Sequence, residues 1–574
     1  MLALTIPLFL VGLWSAFPLT QGLPVAIRNG WSSFCGVSIT WKLLIIATAL
    51  MLFLGFSSVA VRIDGDARAF YLALPKVVAA SHRLLPLPGY ESFTSVGLIA
   101  EMQLAALFLL NMPGATPRLF SWVTSLAVAA LVTAISREAG LGKRGQLLSL
   151  TMLVTSSAVA YFWGQGKTDL FAAAFALSAV LVALQNWGGK TNRSSAVALS
   201  GLLTGFSLVA KLSYIVGFLP VIFILIFWQE IHLYFIKKWS QIANKKVFFD
   251  VLKYSCIFFI LVSIPFIPHF YKNYTLLNIL VDTYGEHRYF SEATTHRIIL
   301  TYPFLLFFGN FWAQYGNLSP LMLMFAPLAL FATARRVPCE SRVVAIFMSG
   351  TAGLLAWIII FPSVPMPRYF LATLIILFIP VAWATEKIAF GDKWLSSFVA
   401  IVSFACVVTF YKSFTNEVFP VSAAYKYIIS EQSENNLHID EVLSGNVYES
   451  VNKVAEPGAR VFLATYYRFW LRPDLIQTTN GKLDNTISFN VASPEKFWLQ
   501  LYEHGFTYLI LDNTHPALEA IKFVPSWMHV EPIYPQSGYG GAYRLIYGAP
   551  PGALKMSTIE VSAGAWDVVS TGKK

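Results

Sequence analysis

The sequence predicts a polytopic membrane protein, mostly α-helical, that ends in a small α/β domain. Three observations carry that prediction. Of the 574 residues, 56% are hydrophobic and only 12% charged, against roughly 25% charged in soluble chains, so the surfaces of several soluble domains cannot be covered. Apolar stretches close to the roughly 20 residues that cross a bilayer recur along the chain. The charge is also unevenly divided: from Phe414 to the end there are 12 basic and 16 acidic residues, and before it 29 and 14. A soluble enzyme, a nucleic-acid binder and a disordered chain do not fit this composition. The basic excess of the membrane part reads as loops held on the cytoplasmic side, with no nucleic-acid partner to invoke.

Taken in order, residues 1–20 are apolar without a basic stretch ahead of them, and read as a membrane helix or its remnant rather than a cleaved signal. Crossings are expected at Trp41–Val61, Leu119–Arg137, Leu147–Trp163, Thr168–Trp187, Ser195–Ala210 and Ser213–Glu230. They continue at Phe249–His269, Leu318–Ala334, Val343–Phe361, Arg368–Thr385 and Trp394–Lys412, for about 11–13 helices in all. Two punctuated stretches suit helices that lie at the membrane face or re-enter it: Phe93–Asn111, with Glu101 and Gln103, and Ile298–Trp312, with Pro303, Gly309 and Asn310.

Basic clusters orient the chain. They fall at Arg28/Lys42, Arg137/Lys143/Arg144, Lys190/Arg193, Lys237/Lys238/Lys245/Lys246, Arg335/Arg336/Arg342 and Lys387/Lys393. If all are cytoplasmic, an even number of crossings must separate neighbours, which holds when the two punctuated stretches do not cross. The first outer loop 62–92, the turn Gly164–Asp169, the long outer loop 270–297, the turn Pro362–Pro367 and the tail then share the opposite face. The division is a membrane domain over 1–413 and an extracytoplasmic α/β domain over 414–574. In the tail, Tyr425–Gln432, Val447–Ala455 and Pro494–His504 read as helices, and Arg460–Thr465, Tyr508–Asp512 and Gly541–Ile546 as strands. No glycine-rich phosphate fingerprint follows the early strands, and the four cysteines show neither a disulfide framework nor zinc spacing.

Ionisable residues on the outer face are the candidates for chemistry. Asp64 and Asp66 stand just outside the first confident crossing, ahead of an amphipathic stretch that includes Tyr71 and Lys76. A carboxylate there suits a general base, with its neighbour orienting it, holding a cation or raising its pKa; an ordinary helix cap is the alternative. Lys167 and Asp169 sit where two apolar segments meet, a costly place for ionisable groups unless they are paired or wet; a cap with a snorkelling Lys reads equally well. Lys211, alone in a long apolar run, and Arg368, followed by Tyr369 at the outer start of a helix, suit a phosphate or pyrophosphate at the bilayer surface, or anchoring to lipid headgroups. The long loop adds His269, Lys272, Asp282, Glu286, His287, Arg288, His296 and Arg297 without metal-ligand spacing.

Four pieces in order resemble one superfamily, the polytopic C-class (GT-C) glycosyltransferases that take polyprenyl-phosphate sugars as donors. They are Asp66-Ala67-Arg68-Ala69-Phe70-Tyr71-Leu72-Ala73-Leu74-Pro75-Lys76, Gly166-Lys167-Thr168-Asp169, Ala210-Lys211 and Arg368-Tyr369-Phe370-Leu371. Within the superfamily the chain is most similar to the bacterial relatives of protein O-mannosyltransferases and lipid A aminoarabinose transferases, over about Trp41 to Lys412. The resemblance implies inverting sugar transfer at the outer face of a bacterial inner membrane, with the tail periplasmic. Asp66 would be the base, Asp64 its neighbour, and Asp169 an orienting group. Lys76, Lys167, Lys211, Arg368, Tyr369, Tyr71, His287 and Arg288 would bind the donor phosphate and substrate. The implied partners are a polyprenyl-phosphate sugar, a lipid, glycan or protein acceptor, and membrane lipids. A divalent metal ion is compatible with the resemblance, with Glu91, Glu101 and His287 as candidate ligands, but nothing in the sequence requires one. Gly65 separates two acidic residues that are often adjacent in the superfamily. A lipid or sugar transporter, and a non-catalytic scaffold of the same fold, are the competing readings.

Overall fold

A computed structural model describes residues 34–60, 63, 65–82, 84, 96–110, 115–188, 192–231, 245–277, 292–308, 316–334, 340–362, 364, 366–415, 418–428, 445–463, 467–479, 494–512, 518–537 and 540–549. The N-terminal apolar segment 1–20 lies outside them. The apolar stretches of the sequence fold as helices. α1 (Ile39–Leu54) runs into a 3-10 turn, Gly55–Ala60. α2 (Ala73–Ser81) and α3 (Ile99–Leu109) pack on one another through Phe70, Leu74, Val77, Val78, Leu98 and Ala105. At 1.5 Å per residue, α3 spans roughly half of the hydrocarbon core and cannot cross it.

The bundle continues with α4 (Ala115–Glu138), α5 (Lys143–Val154), α6 (Asp169–Gln185), α7 (Arg193–Ala210), α8 (Leu219–Ile226) and α9 (Lys245–Ser263). After these come α10 (Phe266–Leu277), α11 (Glu292–Phe308), α12 (Pro320–Ala334) and α13 (Ser341–Ile360). A 3-10 turn, Pro367–Phe370, leads into α14 (Leu371–Ile376) and α15 (Phe378–Ala389), and α16 (Lys393–Ser413) closes the bundle. Among the described residues six segments are long and apolar enough to cross a membrane: Ile39–Ala60, Thr116–Glu138, Arg193–Ala210, Ser341–Ile360, Pro367–Ala389 and Lys393–Ser413. α9 and α10, bent by 42° at their junction, are long and apolar enough only as a pair, which is either one broken span, making seven, or a re-entrant loop. The protein is a multi-pass membrane protein.

Two expectations are corrected. Leu147–Trp163 is not one continuous helix. It breaks after α5 because Ser156 and Ser157 turn their hydroxyls to the 316–319 segment, accepting from the Ser319 N–H at 2.9 Å and the Asn317 N–H at 2.7 Å. The long outer loop is shorter than 270–297, since α10 extends to Leu277 and α11 begins at Glu292; Asn273, 1% exposed, and Tyr302, fully buried, keep one face of each helix inward. Small residues bring α7 and α9 together, as at other membrane helix crossings. A Cβ on Gly201 or Gly205 would lie 2.7 Å from the Phe258 carbonyl oxygen or 2.4 Å from that of Val262.

The C-terminal part begins with α17 (Val421–Ile428) and α18 (Gly445–Val454). It then builds a five-stranded sheet in the order β2-β1-β3-β5-β4. β1 (Arg460–Leu463) is parallel to β2 (Ile476–Thr479) and β3 (Tyr508–Leu511), while β5 (Gly540–Tyr547) is antiparallel to β3 and to β4 (Met528–Ser537). Side chains alternate across a strand, so Val461 and Leu463 meet α18 on one face. Phe462 meets Phe497, Trp498 and Leu501 of α19 (Pro494–Glu503) on the other. β2 and β4 are not foreseen from the sequence; Pro532 and Pro535 argue against a strand there, yet β4 is an edge, where proline is tolerated.

Candidate active site

The chain leaves α1 through the 3-10 turn and reaches Gly65 and Asp66, which open a helical turn that widens into a π-turn at Ala67–Tyr71. Asp66 has helical φ and ψ and makes no capping bond, so its carboxylate is free to look across the site. Arg368 Nη1 donates to Asp66 Oδ2 at 2.9 Å, and Lys167 Nζ stands 3.6 Å from the same oxygen. The Asp66 side chain is 35% exposed while those of Lys167 and Arg368 are 0% and 8% exposed, so the accessible member of the trio is the carboxylate. Burial works to raise the Asp66 pKa, but the charges of Lys167 and Arg368 and their hydrogen bonds outweigh it and hold the carboxyl below its ordinary range.

Asp169 opens α6 and is fully buried. Thr168, ahead of it, makes no side-chain cap, and the Asp169 Oδ1 pairs with the Lys211 ammonium instead. Lys211 follows α7 in an extended conformation, with φ −150° and ψ 98°, which turns it back toward α6. Asp169 Oδ2 is buried with no hydrogen-bond partner among the described residues. Arg368 lies within electrostatic range of both Asp66 and Asp169, joining the two pairs into one cluster. Tyr369 forms its aromatic wall, 5.4 Å from the Lys211 ammonium and 5.0 Å from the Arg368 guanidinium, ring centroid to cation. Its carbonyl accepts from the Ser213 hydroxyl at 2.7 Å, and its ring stacks on Trp357. In these five groups three cations face two carboxylates, an excess of one positive charge at neutral pH.

The frame is set by a residue that the sequence reading passes over. Arg118, 1% exposed near the start of α4, donates to the Gly164 carbonyl at 2.8 Å and the Ser58 carbonyl at 3.0 Å. It thereby ties the exit of α1 to the turn that carries Lys167 and Asp169. The two segments touch: a Cβ on Gly164 would sit 2.1 Å from the Ser58 carbonyl oxygen, a distance only glycine allows. Gly166 adopts a φ of +71°. The signal for Arg118 was present, since it is a lone cation at the end of an apolar span, the criterion that singled out Lys211.

The other expected residues distribute as follows. The Tyr71 phenol stands within electrostatic range of Arg368, Asp169, Asp66 and Glu101. Glu101 is 1% exposed, and burial pushes its carboxyl up to about 8 against the pull of its backbone hydrogen bond, Lys272 and Lys211. Lys76 reaches the C-terminal domain, donating to the carbonyls of Phe469 and Leu471. Asp64, Glu91, His287 and Arg288 lie outside the described residues. Among the described residues no three His, Cys, Asp or Glu side chains gather as a metal site.

No family model matches the sequence, and no curated protein sequence does so. Solved structures match the fold. ArnT from Cupriavidus metallidurans bound to undecaprenyl phosphate superposes with a TM-score of 0.56 at 11% identity, over 88% of this chain and 98% of that one. The same protein in the apo state gives 0.56 at 10% identity, with the same coverage. The arabinofuranosyltransferase AftD from Mycobacteria gives 0.54 at 14% identity, over 90% of this chain and 40% of its own length. The chain has the fold of the C-class membrane glycosyltransferases.

Proposed function

We propose that the protein transfers a sugar from a polyprenyl-phosphate donor to an acceptor on the outer face of a bacterial inner membrane, with inversion and with Asp66 as general base. The observation that carries the proposal is the charge arrangement: three cations around two carboxylates, with Asp66 the accessible member. Its surplus positive charge suits one phosphodiester, which the fold neighbour crystallised with undecaprenyl phosphate makes a natural choice.

In the step proposed, the acceptor's hydroxyl or amine attacks the anomeric carbon from the side opposite the phosphate. The bond from that carbon to the phosphate oxygen breaks, its electron pair stays on the departing polyprenyl phosphate, and the acceptor proton moves to Asp66. Lys167, Lys211 and Arg368 stabilise the departing phosphate, a preorganised electrostatic contribution of the kind that dominates many enzymes. Asp169 Oδ2, buried and unfilled, accepts a substrate hydroxyl. The tail is the extracytoplasmic domain, and the acceptor is a lipid, glycan or protein.

The test uses the purified full chain, undecaprenyl phosphate loaded with a radiolabelled pentose or hexose, and native envelope membranes as acceptor. Label should pass to the envelope fraction with release of undecaprenyl phosphate. Failure with every donor would sink the proposal, and label crossing liposomes without bond formation would favour the transporter. The pH profile gives a second expectation. Asp66 works deprotonated, so the rate falls as pH drops through its lowered pKa. Arg368→Gln removes one of the charges that lower that pKa, so the acid limb of kcat/KM moves to higher pH; a limb that stays put would exclude Asp66 as the titrating group.

A further inference from the structure

One short segment of the C-terminal domain, Tyr467–Leu471, reaches the stretch that carries Asp66. The Phe469 N–H donates to the Arg68 carbonyl at 3.0 Å. The Lys76 ammonium donates in return to the carbonyls of Phe469, at 2.8 Å, and Leu471, at 3.0 Å. The Phe469 side chain, 4% exposed, completes an apolar cluster with Ile63, Ala67, Leu72 and Leu104. The Arg68 guanidinium lies 3.8 Å from the centroid of the Tyr467 ring. The edge of that ring also covers Gly65, where a Cβ would lie 3.3 Å from both Cε1 and the hydroxyl oxygen.

Tyr467 thus touches the chain on both sides of Asp66, at the residue before it and two residues after it. A π-turn begins at Ala67, between these contacts, and runs on to Tyr71, closed by a hydrogen bond from the Leu72 N–H to the Ala67 carbonyl at 2.9 Å. Such turns are rare and recur at functional sites, and their wider winding needs outside contacts to persist. The cations that face Asp66 come from the Gly164–Asp169 turn and the Pro367–Phe370 turn, so the aim of the carboxylate is set on its own side by this clamp.

We propose that Tyr467 is a positioning residue, through which the C-terminal domain holds Gly65 and Arg68 so that Asp66 points at the acceptor. The inference rests on reading Asp66 as the base. Small displacements of reacting groups cost up to about 100-fold in rate. Tyr467→Ala should lower kcat by about 10- to 100-fold with little change in the KM for the undecaprenyl-phosphate sugar. It should also move the acid limb upward, as Asp66 leaves Arg368. Tyr467→Phe keeps the ring on Arg68 and should recover most of the rate. Lys76→Met opens the same clamp from the membrane side and should repeat the kcat loss; a raised donor KM instead would make Lys76 a donor ligand.

A purely structural role for Tyr467 would lower the yield of folded protein without moving the acid limb. Amide hydrogen exchange over residues 65–72 gives a readout that needs no substrate: it should quicken in Tyr467→Ala and Lys76→Met, and unchanged exchange would overturn the clamp. A wild-type chain that transfers no sugar refutes the functional proposal and leaves the clamp to stand or fall on exchange. A wild type that transfers, with a Tyr467→Ala variant equal to it in kcat and acid limb, refutes the positioning role alone.

Discussion

Asp66→Asn should lower sugar transfer by about 10²- to 10⁴-fold, the range general bases contribute, while the protein still purifies folded. The amide keeps the shape of the carboxyl and still accepts from Arg368, so the 3-10 turn carrying Arg368 has no reason to move. The side chain is 35% exposed, so losing its charge leaves no sealed vacancy. Donor binding should persist, since the cations proposed to hold phosphate remain. Turnover with the undecaprenyl-phosphate donor, beside a thermal unfolding curve in detergent, checks both halves. Near-normal turnover ends the case for Asp66.

Asp169→Asn should behave in the opposite way, failing first in stability. Asp169 is fully buried and its partner Lys211 is 10% exposed at the side chain. Removing one member of a buried ion pair leaves the other charged and unpaired, typically at about 3–5 kcal/mol. The single variant should unfold well below wild type. The double variant Asp169→Asn/Lys211→Met should regain most of the lost stability and remain inactive, because neither the orienting carboxylate nor its phosphate-facing cation survives. Equal midpoints for the single variant and wild type would show that the pair is not sealed from solvent. A double variant with wild-type turnover would remove both residues from the mechanism.

Lone ionisable groups announce themselves in apolar sequence because they are expensive there, which is why Lys167, Asp169, Lys211 and Arg368 were readable before any fold was known. Their pairing was not. Lys211 and Arg368 read as phosphate cations, and nothing in the spacing says that one rests on Asp169 and the other on Asp66. Lys76 is hard to read for a related reason: two of its partners are backbone carbonyls, which leave no trace in a sequence. The break after α5 was hidden too, since Ser156 and Ser157 look helix-compatible until their hydroxyls meet residues 317 and 319. In the tail, helices and inner strands follow their hydrophobic pattern, whereas the edge strand β4 carries two prolines and conceals itself.

The contact between Asp66 and Arg368 joins residues 302 positions apart, and that separation is also an interval of time. A ribosome adding about 5–20 residues per second needs roughly 15–60 s to deliver the arginine after the aspartate has been made. During that interval the nascent chain holds the carboxylate without the guanidinium that lowers its pKa, and Lys167, about 100 residues downstream, is its earliest counter-charge. The Asp66–Arg368 contact therefore forms late in synthesis, after all the helices that precede Arg368 have been made. A ribosome stalled before Pro367 would leave a membrane-inserted chain with the Asp66 carboxylate in place and its guanidinium partner still missing.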